Sequence, residues 1–273
     1  MYNLSGKIAL VTGAAGAAGL GRAIALRLAQ EGADLVVNDL SEEVGFRSGL
    51  PDVVREIEAL GRRGLAVYAD VANSLQVETM VERALDHFGR IDILVNNAGA
   101  PAGQDRVPVV ELEEDAFDLV QRVNVKGTFL CCRAVARHML QRGDGGTIIN
   151  ISSTSGKYGV ARFAAYCASK FAVRGFTQAL AQELAPQQIT VYAICPGLVA
   201  TERIDDMASV LAPPGVDPSH HREQMIATSI NSVPLGRMTE QDDIAKVAAF
   251  LASDQSDFMT GASLTVDGGY HMD

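Results

Sequence analysis

The chain has no tryptophan, and aromatic residues make up only 5% of it, so its core must be built from aliphatic side chains. Cysteine is scarce and badly placed for covalent or metal chemistry. The four cysteines, Cys131, Cys132, Cys167 and Cys195, form no Cys-x-x-Cys pair, which argues against a disulfide framework and a zinc site. The histidines include no His-Glu-x-x-His pattern, and adjacent His220 and His221 read as a solvated loop pair, so no metal is expected. Basic residues are outnumbered, 23 against 33, for a net charge of −10. That balance speaks against binding nucleic acid. No apolar run approaches the ~18 residues of a membrane span. Met1 to Lys7 has no basic segment followed by a long apolar one, so no secretory signal is expected. The expectation is a reduced cytoplasmic protein with no nucleic-acid or membrane partner.

With 273 residues, 48% of them hydrophobic, the chain suffices for one large domain. Short β-branched runs alternate with longer helical patterns almost to the end. Strands are predicted at Ile8–Thr12, Leu35–Asn38, Leu65–Ala69, Ile91–Val95, Thr147–Ile151, Thr190–Ile194 and Ser263–Val266. Helices are predicted over Arg22–Glu31, Val53–Leu60, Gln76–Phe88, Asp115–Gln141, Ala164–Leu184 and Asp242–Ala252, the longest interrupted in pattern only at Gly127. This alternation predicts an α/β fold with a doubly wound parallel sheet and helices on both faces. No Pro/Gly/Ser-rich linker divides residues 1–273. Two loops stand out: Leu40–Leu50, and the irregular stretch from Glu202 to about Asn231, with Pro213-Pro214-Gly215 and Pro218, expected to be a substrate lid.

The first strand runs into Gly13-Ala14-Ala15-Gly16-Ala17-Ala18-Gly19-Leu20-Gly21. Glycines at a strand-to-helix turn let backbone approach a pyrophosphate, whose charge a helix N-terminus favours. The second strand ends at Asp39 and Leu40. A carboxylate there accepts hydrogen bonds from ribose hydroxyls and repels a 2′-phosphate. No Arg or Lys follows Asp39 immediately, which favours NAD over NADP.

Tyr166-Cys167-Ala168-Ser169-Lys170 places a phenol and an ammonium four residues apart, on one helical face. A phenol of pKa ~10 is only about 0.1% ionised at neutral pH, and bringing it near 7 takes roughly 4 kcal/mol of selective stabilisation. A neighbouring cation supplies it. The spacing is common by chance, and its weight comes from its company.

Together these residues strongly resemble the short-chain dehydrogenase/reductase family, in its compact single-domain Rossmann branch. The resemblance runs from the glycine turn to Val266-Asp267-Gly268-Gly269. Asn96-Asn97-Ala98-Gly99 is similar to the family's Asn-Asn-Ala-Gly signature, and Asp70-Val71 to its adenine-side pair. Asn150-Ile151-Ser152-Ser153 is similar to the strand that carries the catalytic serine. Pro196-Gly197-Leu198-Val199-Ala200-Thr201 is similar to the nicotinamide-side segment, and Asn124 to the fourth member of the catalytic tetrad. In one respect the chain departs. Five residues separate Gly13 from Gly19 where the compact branch has three between its first two glycines, which reads as a two-residue insertion in the phosphate loop. Gly13-x-x-Gly16-x-x-Gly19 also resembles the longer branch of the family, but Gly19-Leu20-Gly21-Arg22-Ala23 and the lack of a second domain fit the compact one.

The resemblance implies an NAD-dependent dehydrogenase that interconverts a secondary alcohol and a ketone. Tyr166 is then the acid/base, and Lys170 lowers its pKa and binds the nicotinamide ribose. Ser153 hydrogen-bonds the substrate oxygen, and Asn124 holds a water that connects Lys170 to solvent. The implied cofactor contacts are Gly13, Gly19, Leu20, Gly21, Asp39, Leu40, Asp70, Val71, Asn97, Ala98, Gly99, Tyr166, Lys170, Pro196, Gly197, Val199 and Thr201. Alternatives are a 3-oxoacyl-thioester reductase, for which NADPH is usual, and a sugar or polyol dehydrogenase. A redox-sensing regulatory protein is disfavoured because all four tetrad positions are filled. An enoyl reductase is disfavoured because that group uses a longer tyrosine-to-lysine spacing. Cys167 reads as a small core-facing residue, and Lys157 and Arg162 as solvated charges bordering the substrate pocket. Specificity is expected from Pro101–Arg106, Ser155–Ala165 and the lid at 202–231, whose apolar residues Met207, Val210, Leu211, Met225 and Ile226 suit a ring or aliphatic alcohol. A homotetramer is implied, with the long helix and the active-site helix at one interface.

Overall fold

The computed structural model describes residues 2–40, 49–213 and 215–272. Most of the Leu40–Leu50 loop, residues 41–48, therefore lies outside the described residues, as does Pro214. Seven strands form one parallel sheet in the order β3-β2-β1-β4-β5-β6-β7. They are β1 (Ile8–Thr12), β2 (Asp34–Asp39), β3 (Gly64–Tyr68), β4 (Ile93–Asn96), β5 (Gly146–Ile151), β6 (Ile189–Pro196) and β7 (Ser263–Val266).

Strand periodicity divides the core into two layers. In β1, Ala9 and Val11 join one apolar cluster while Ile8 and Leu10 join the other. The first cluster takes in Ile24 and Leu28 of α1 (Leu20–Gln30), Val53 and Ile57 of α2 (Leu50–Ala59), and Ile244 and Ala248 of α9 (Gln241–Ala252). The second takes in Val77 and Met80 of α3 (Ser74–Phe88), Leu130, Val135 and Met139 of α5 (Thr128–Arg142), and Leu184 of α6 (Ala164–Leu184). A sheet buried on both faces explains why the central strands read as continuous apolar runs. The predicted α/β architecture is the one observed. Among the described residues no helix is long and apolar enough to cross a membrane.

Three predicted elements differ. Helix α2 starts at Leu50, earlier than the pattern indicated, because Pro51 lies in its first turn, where a missing N–H costs nothing. The helix predicted over Asp115–Gln141 is α4 (Glu114–Gln121) and α5 joined by a π-helical segment, Arg122–Gly127, that contains Asn124. The stretch from Glu202 to Asn231 is not irregular. It forms α7 (Arg203–Leu211) and α8 (Pro218–Ser232). Pro218 opens α8 rather than breaking it, and the Asp217 carboxylate caps it by accepting from the Ser219 N–H at 2.9 Å. No residue of α8 is buried, so its sequence carries no core-facing stripe to read.

Candidate active site

All the strands are parallel, so the turns that leave β1 to β6 emerge at one edge of the sheet. The chain reverses its direction of travel across the sheet between β1 and β4, which opens a crevice at that edge. The glycine turn follows β1 and Asn97-Ala98-Gly99 follows β4, so the two line the crevice together.

Their fit is close. Gly13 has φ +69°, and a Cβ there would stand 2.8 Å from Ala98 Cα. Asn97 donates its amide to the carbonyls of Thr12 and Gly13, both at 2.9 Å, while the Thr12 hydroxyl accepts the N–H groups of Asn97 and Ala98 at 3.1 Å. Ala14 and Ala15 are buried beneath the turn. Gly16 to Gly19 close on themselves, the Gly19 N–H donating to the Gly16 carbonyl at 3.1 Å, with Ala17 and Ala18 exposed. Among the described residues no side chain caps the N-terminus of α1 at Gly19, ahead of Leu20 and Gly21.

At the end of β2 the Asp39 carboxylate accepts the N–H of Ala15 and of Leu40, both at 2.8 Å, and so links β2 to the glycine turn. Leu40 is exposed. After β3, the Asp70 carboxylate accepts the Ala72 N–H at 2.8 Å, and Val71 is buried where a Cβ on Gly127 would meet it at 2.8 Å. After β6, Pro196 leads to Gly197, whose missing Cβ makes room for Asp267, and Val199 pairs with Thr239. The Thr201 N–H donates to the Val199 carbonyl at 2.8 Å. Gln241 ties the two sides of the crevice, donating to the Ala18 carbonyl at 3.0 Å and to the Ala200 carbonyl. Glycine turn, uncapped helix N-terminus and the acceptor at Asp39 together fit an adenine dinucleotide. When bound, such a cofactor supplies the hydride acceptor or donor at its nicotinamide.

The predicted tetrad converges at the same edge. Tyr166 and Lys170 lie on α6, with the Lys170 Nζ 5.6 Å from the centre of the Tyr166 ring. Lys170, only 6% exposed, donates to the Ile151 carbonyl at 2.8 Å. The Ser153 hydroxyl hydrogen-bonds the Tyr166 phenol and accepts from the Ser155 N–H at 3.1 Å. Asn124 is buried in the π segment, and its amide accepts from the Ala100 N–H at 2.8 Å and donates to Ser169 at 2.9 Å. Ser169 in turn donates to the Tyr166 carbonyl at 2.7 Å. A π turn at a functional position is a recurrent arrangement.

Burial pushes the Tyr166 phenol up, but Lys170, Arg203, the Ser153 hydrogen bond and Arg106 together outweigh it and hold the pKa below the ordinary tyrosine value. Burial likewise lowers the Lys170 ammonium, the Tyr166 charge working against it. Both arginines lie in segments expected to set specificity, but their approach to Tyr166 is unforeseen. Arg106, 1% exposed, stacks over the rings of Phe163 at 4.3 Å and Tyr166 at 4.5 Å and pairs with Asp105. Arg203, the first residue of α7, lies 5.3 Å from the Tyr166 ring centre and donates to the Ala100 carbonyl at 2.8 Å. Nothing in the spacing of positions 106, 166 and 203 signals that they meet. Arg162 is exposed and Cys167 buried, as expected, whereas Lys157 is half-buried rather than fully solvated.

Among the described residues no cluster of His, Cys, Asp and Glu could hold a metal ion. A family model described as enoyl-(acyl carrier protein) reductase matches residues 13–271. A short-chain dehydrogenase/reductase of Armillaria gallica is 38% identical over 98% of this chain and 97% of its own length. The 2-dehydro-3-deoxy-D-gluconate 5-dehydrogenase of Escherichia coli is 36% identical over 98% and 97%. Carveol dehydrogenase from Mycobacterium avium, solved in complex with NAD, superposes with a TM-score of 0.89 at 30% identity, over 99% of both chains. With its fold, its crevice and its sequence in agreement, the chain is an oxidoreductase of the short-chain dehydrogenase/reductase family.

Proposed function

We propose that the protein is an NAD-dependent dehydrogenase that interconverts a secondary alcohol and a ketone, with Asn124, Ser153, Tyr166 and Lys170 as its catalytic tetrad. The observation that carries this reading is the approach of a half-buried Tyr166 to buried Ser153 and Lys170 beside the crevice. In oxidation the Tyr166 phenolate takes the proton of the substrate hydroxyl, and in reduction the phenol returns it to the carbonyl oxygen. Ser153 holds that oxygen as charge develops on it. Lys170 helps hold the phenol's pKa below the ordinary tyrosine value and binds the nicotinamide ribose. Asn124 fixes the far side of the site through Ala100 and Ser169 and holds a water that relays protons from Lys170 to solvent.

The preference for NAD rests on Asp39, an acceptor-only group that repels a 2′-phosphate. The remaining cofactor contacts follow the same reading: Gly13, Gly19, Leu20, Gly21, Leu40, Asp70, Val71, Asn97, Ala98, Gly99, Pro196, Gly197, Val199 and Thr201. We assign α7 and α8 as the substrate lid, since α8 buries no side chain and packs mainly against α7. A homotetramer, with its interface on the long helix and α6, is supported by exposed Phe117, Phe129 and Phe171 on those helices. A cytoplasmic location accords with four unpaired cysteines.

The test is a panel of secondary alcohols, sugars, polyols and hydroxysteroids offered with NAD and with NADP, read by absorbance of the reduced nicotinamide. Turnover with NAD, lost in Tyr166→Phe while NADH binding persists, is the expected result. Unchanged turnover in Tyr166→Phe, or faster turnover with NADP, overturns the corresponding part.

A further inference from the structure

The positive charge around Tyr166 exceeds what proton transfer requires. Lys170, Arg106 and Arg203 all approach its ring, and Asp105 is the acidic partner of Arg106 alone. Arg203 forms no ion pair among the described residues, and its fixed hydrogen bond is to a neutral carbonyl, that of Ala100. The Arg106 Nε is buried without a hydrogen-bond partner. Two guanidiniums brought to one phenol repel each other, and the burial of Arg106 costs free energy that an anion would offset. The concentration of cations is local: the chain as a whole carries −10.

Position narrows the role. Arg106 lies in the loop after β4, and Arg203 opens α7, so each comes from a segment that borders the space in front of Tyr166 and neither lies on the glycine turn. The pyrophosphate end of the crevice is served by the α1 N-terminus instead.

We infer that the alcohol oxidised here is a small hydroxy carboxylate, its carboxylate held by Arg203 with Arg106 behind it. This rests on the dehydrogenase reading and deepens it. The substrate carbinol gives its hydride to the oxidised nicotinamide and its hydroxyl proton to Tyr166, leaving a keto acid, a reduced nicotinamide and one proton for solvent. Planar guanidinium groups match a carboxylate through paired hydrogen bonds. A charge-assisted contact of this kind is worth roughly 10- to 100-fold in kcat/KM.

The experiment compares 2-, 3- and 4-hydroxy carboxylates with their uncharged amides, in the wild type, Arg203→Gln and Arg203→Lys. Expected is a wild-type preference for at least one carboxylate over its amide, lost in Arg203→Gln and partly kept in Arg203→Lys, the preference being read as a ratio because removing a cation beside Tyr166 slows acid and amide alike. A second measurement, independent of turnover, titrates butyrate and butyramide into the NADH-saturated protein by calorimetry. Butyrate is expected to bind more tightly than butyramide, and Arg203→Gln to remove the difference. Equal binding of the two ligands, or equal losses for acids and amides in Arg203→Gln, overturns the inference. Turnover of neutral alcohols without any carboxylate preference overturns it while sparing the dehydrogenase reading. Absence of turnover with every alcohol and both cofactors sinks that reading, and the butyrate titration then still decides the anion site.

Discussion

Gly21 faces the carbonyl of Gly13 across a gap with no room for a side chain, since a Cβ on Gly21 would stand 2.3 Å from that oxygen and 2.6 Å from Asn97 Nδ2. The first helix can approach the end of β1 only on these terms. Gly21→Ala should therefore cost about 3 kcal/mol of stability through overpacking. It should also weaken NADH binding, because α1 and the glycine turn move apart. Thermal unfolding and NADH fluorescence titration check both effects.

The lowered Tyr166 pKa fixes the sign of the pH dependence. Alcohol oxidation needs the phenolate, so kcat/KM should rise with pH and level off below the ordinary tyrosine value of about 10. Carbonyl reduction needs the phenol and should fall over the same range. Lys170→Met removes a stabilising cation, so the midpoint should move to higher pH, even where the remaining rate is small.

Asp34, buried at the start of β2, accepts from Arg63 Nε at 2.7 Å and the Arg63 N–H at 3.0 Å, and meets Arg62 at 2.8 Å. Burial raises its pKa, but these partners together lower it below the ordinary value. A carboxylate with a depressed folded pKa contributes stability above its unfolded pKa and loses it as pH falls through the folded one. Asp34→Asn should thus cost about 2 kcal/mol at neutral pH. The difference from wild type should vanish in strong acid, below the folded-state pKa, as read by urea unfolding at a series of pH values.

Burial pushes the Cys131 thiol up to about 12, and Cys132 and Cys195 are raised too. These thiols should resist iodoacetamide in the folded protein and react once it is unfolded. Mass spectrometry of the alkylated protein reads this directly, and rapid labelling of Cys131 in the native state would contradict the packing of α5.

If α7 and α8 form the lid, amide exchange in α8 should be fast in the free protein, because no side chain there is buried. It should slow when NADH and a slowly reacting ketone are bound together. Equal exchange in both states would mean that α8 does not close.

The sheet and both helical layers were legible because each is a local pattern of apolar runs and helical spacing, and the residues proposed as the tetrad were picked out by short motifs. The boundaries of β4 differ by two residues at its start, since Ile91 and Asp92 belong to the approach to the strand. Helices α7 and α8 were not legible, because α8 buries nothing and prolines usually signal breaks. The π segment was also hidden: an extra residue in a helical turn leaves the apolar pattern nearly intact. The contacts of Arg106, Arg203 and Gln241 were missed for a different reason. Their partners are distant in sequence, and only the fold brings Arg203 to Ala100 or Gln241 to Ala18.

The π segment has a consequence for the helix that contains it. Ahead of it α4 packs against α6, and beyond it α5 packs against α3, so one continuous rod changes neighbours midway. The wider turn takes up one extra residue between those two contacts. Deleting one residue between Arg122 and Gly127 would let the segment close into ordinary α-helical turns with α4 and α5 still in phase. Cys131, Val135 and Met139 would keep their places in the core, while the Asn124 bridge to Ala100 and Ser169 would be lost. The added residue thus serves the placement of Asn124, and the rod around it packs as well without it.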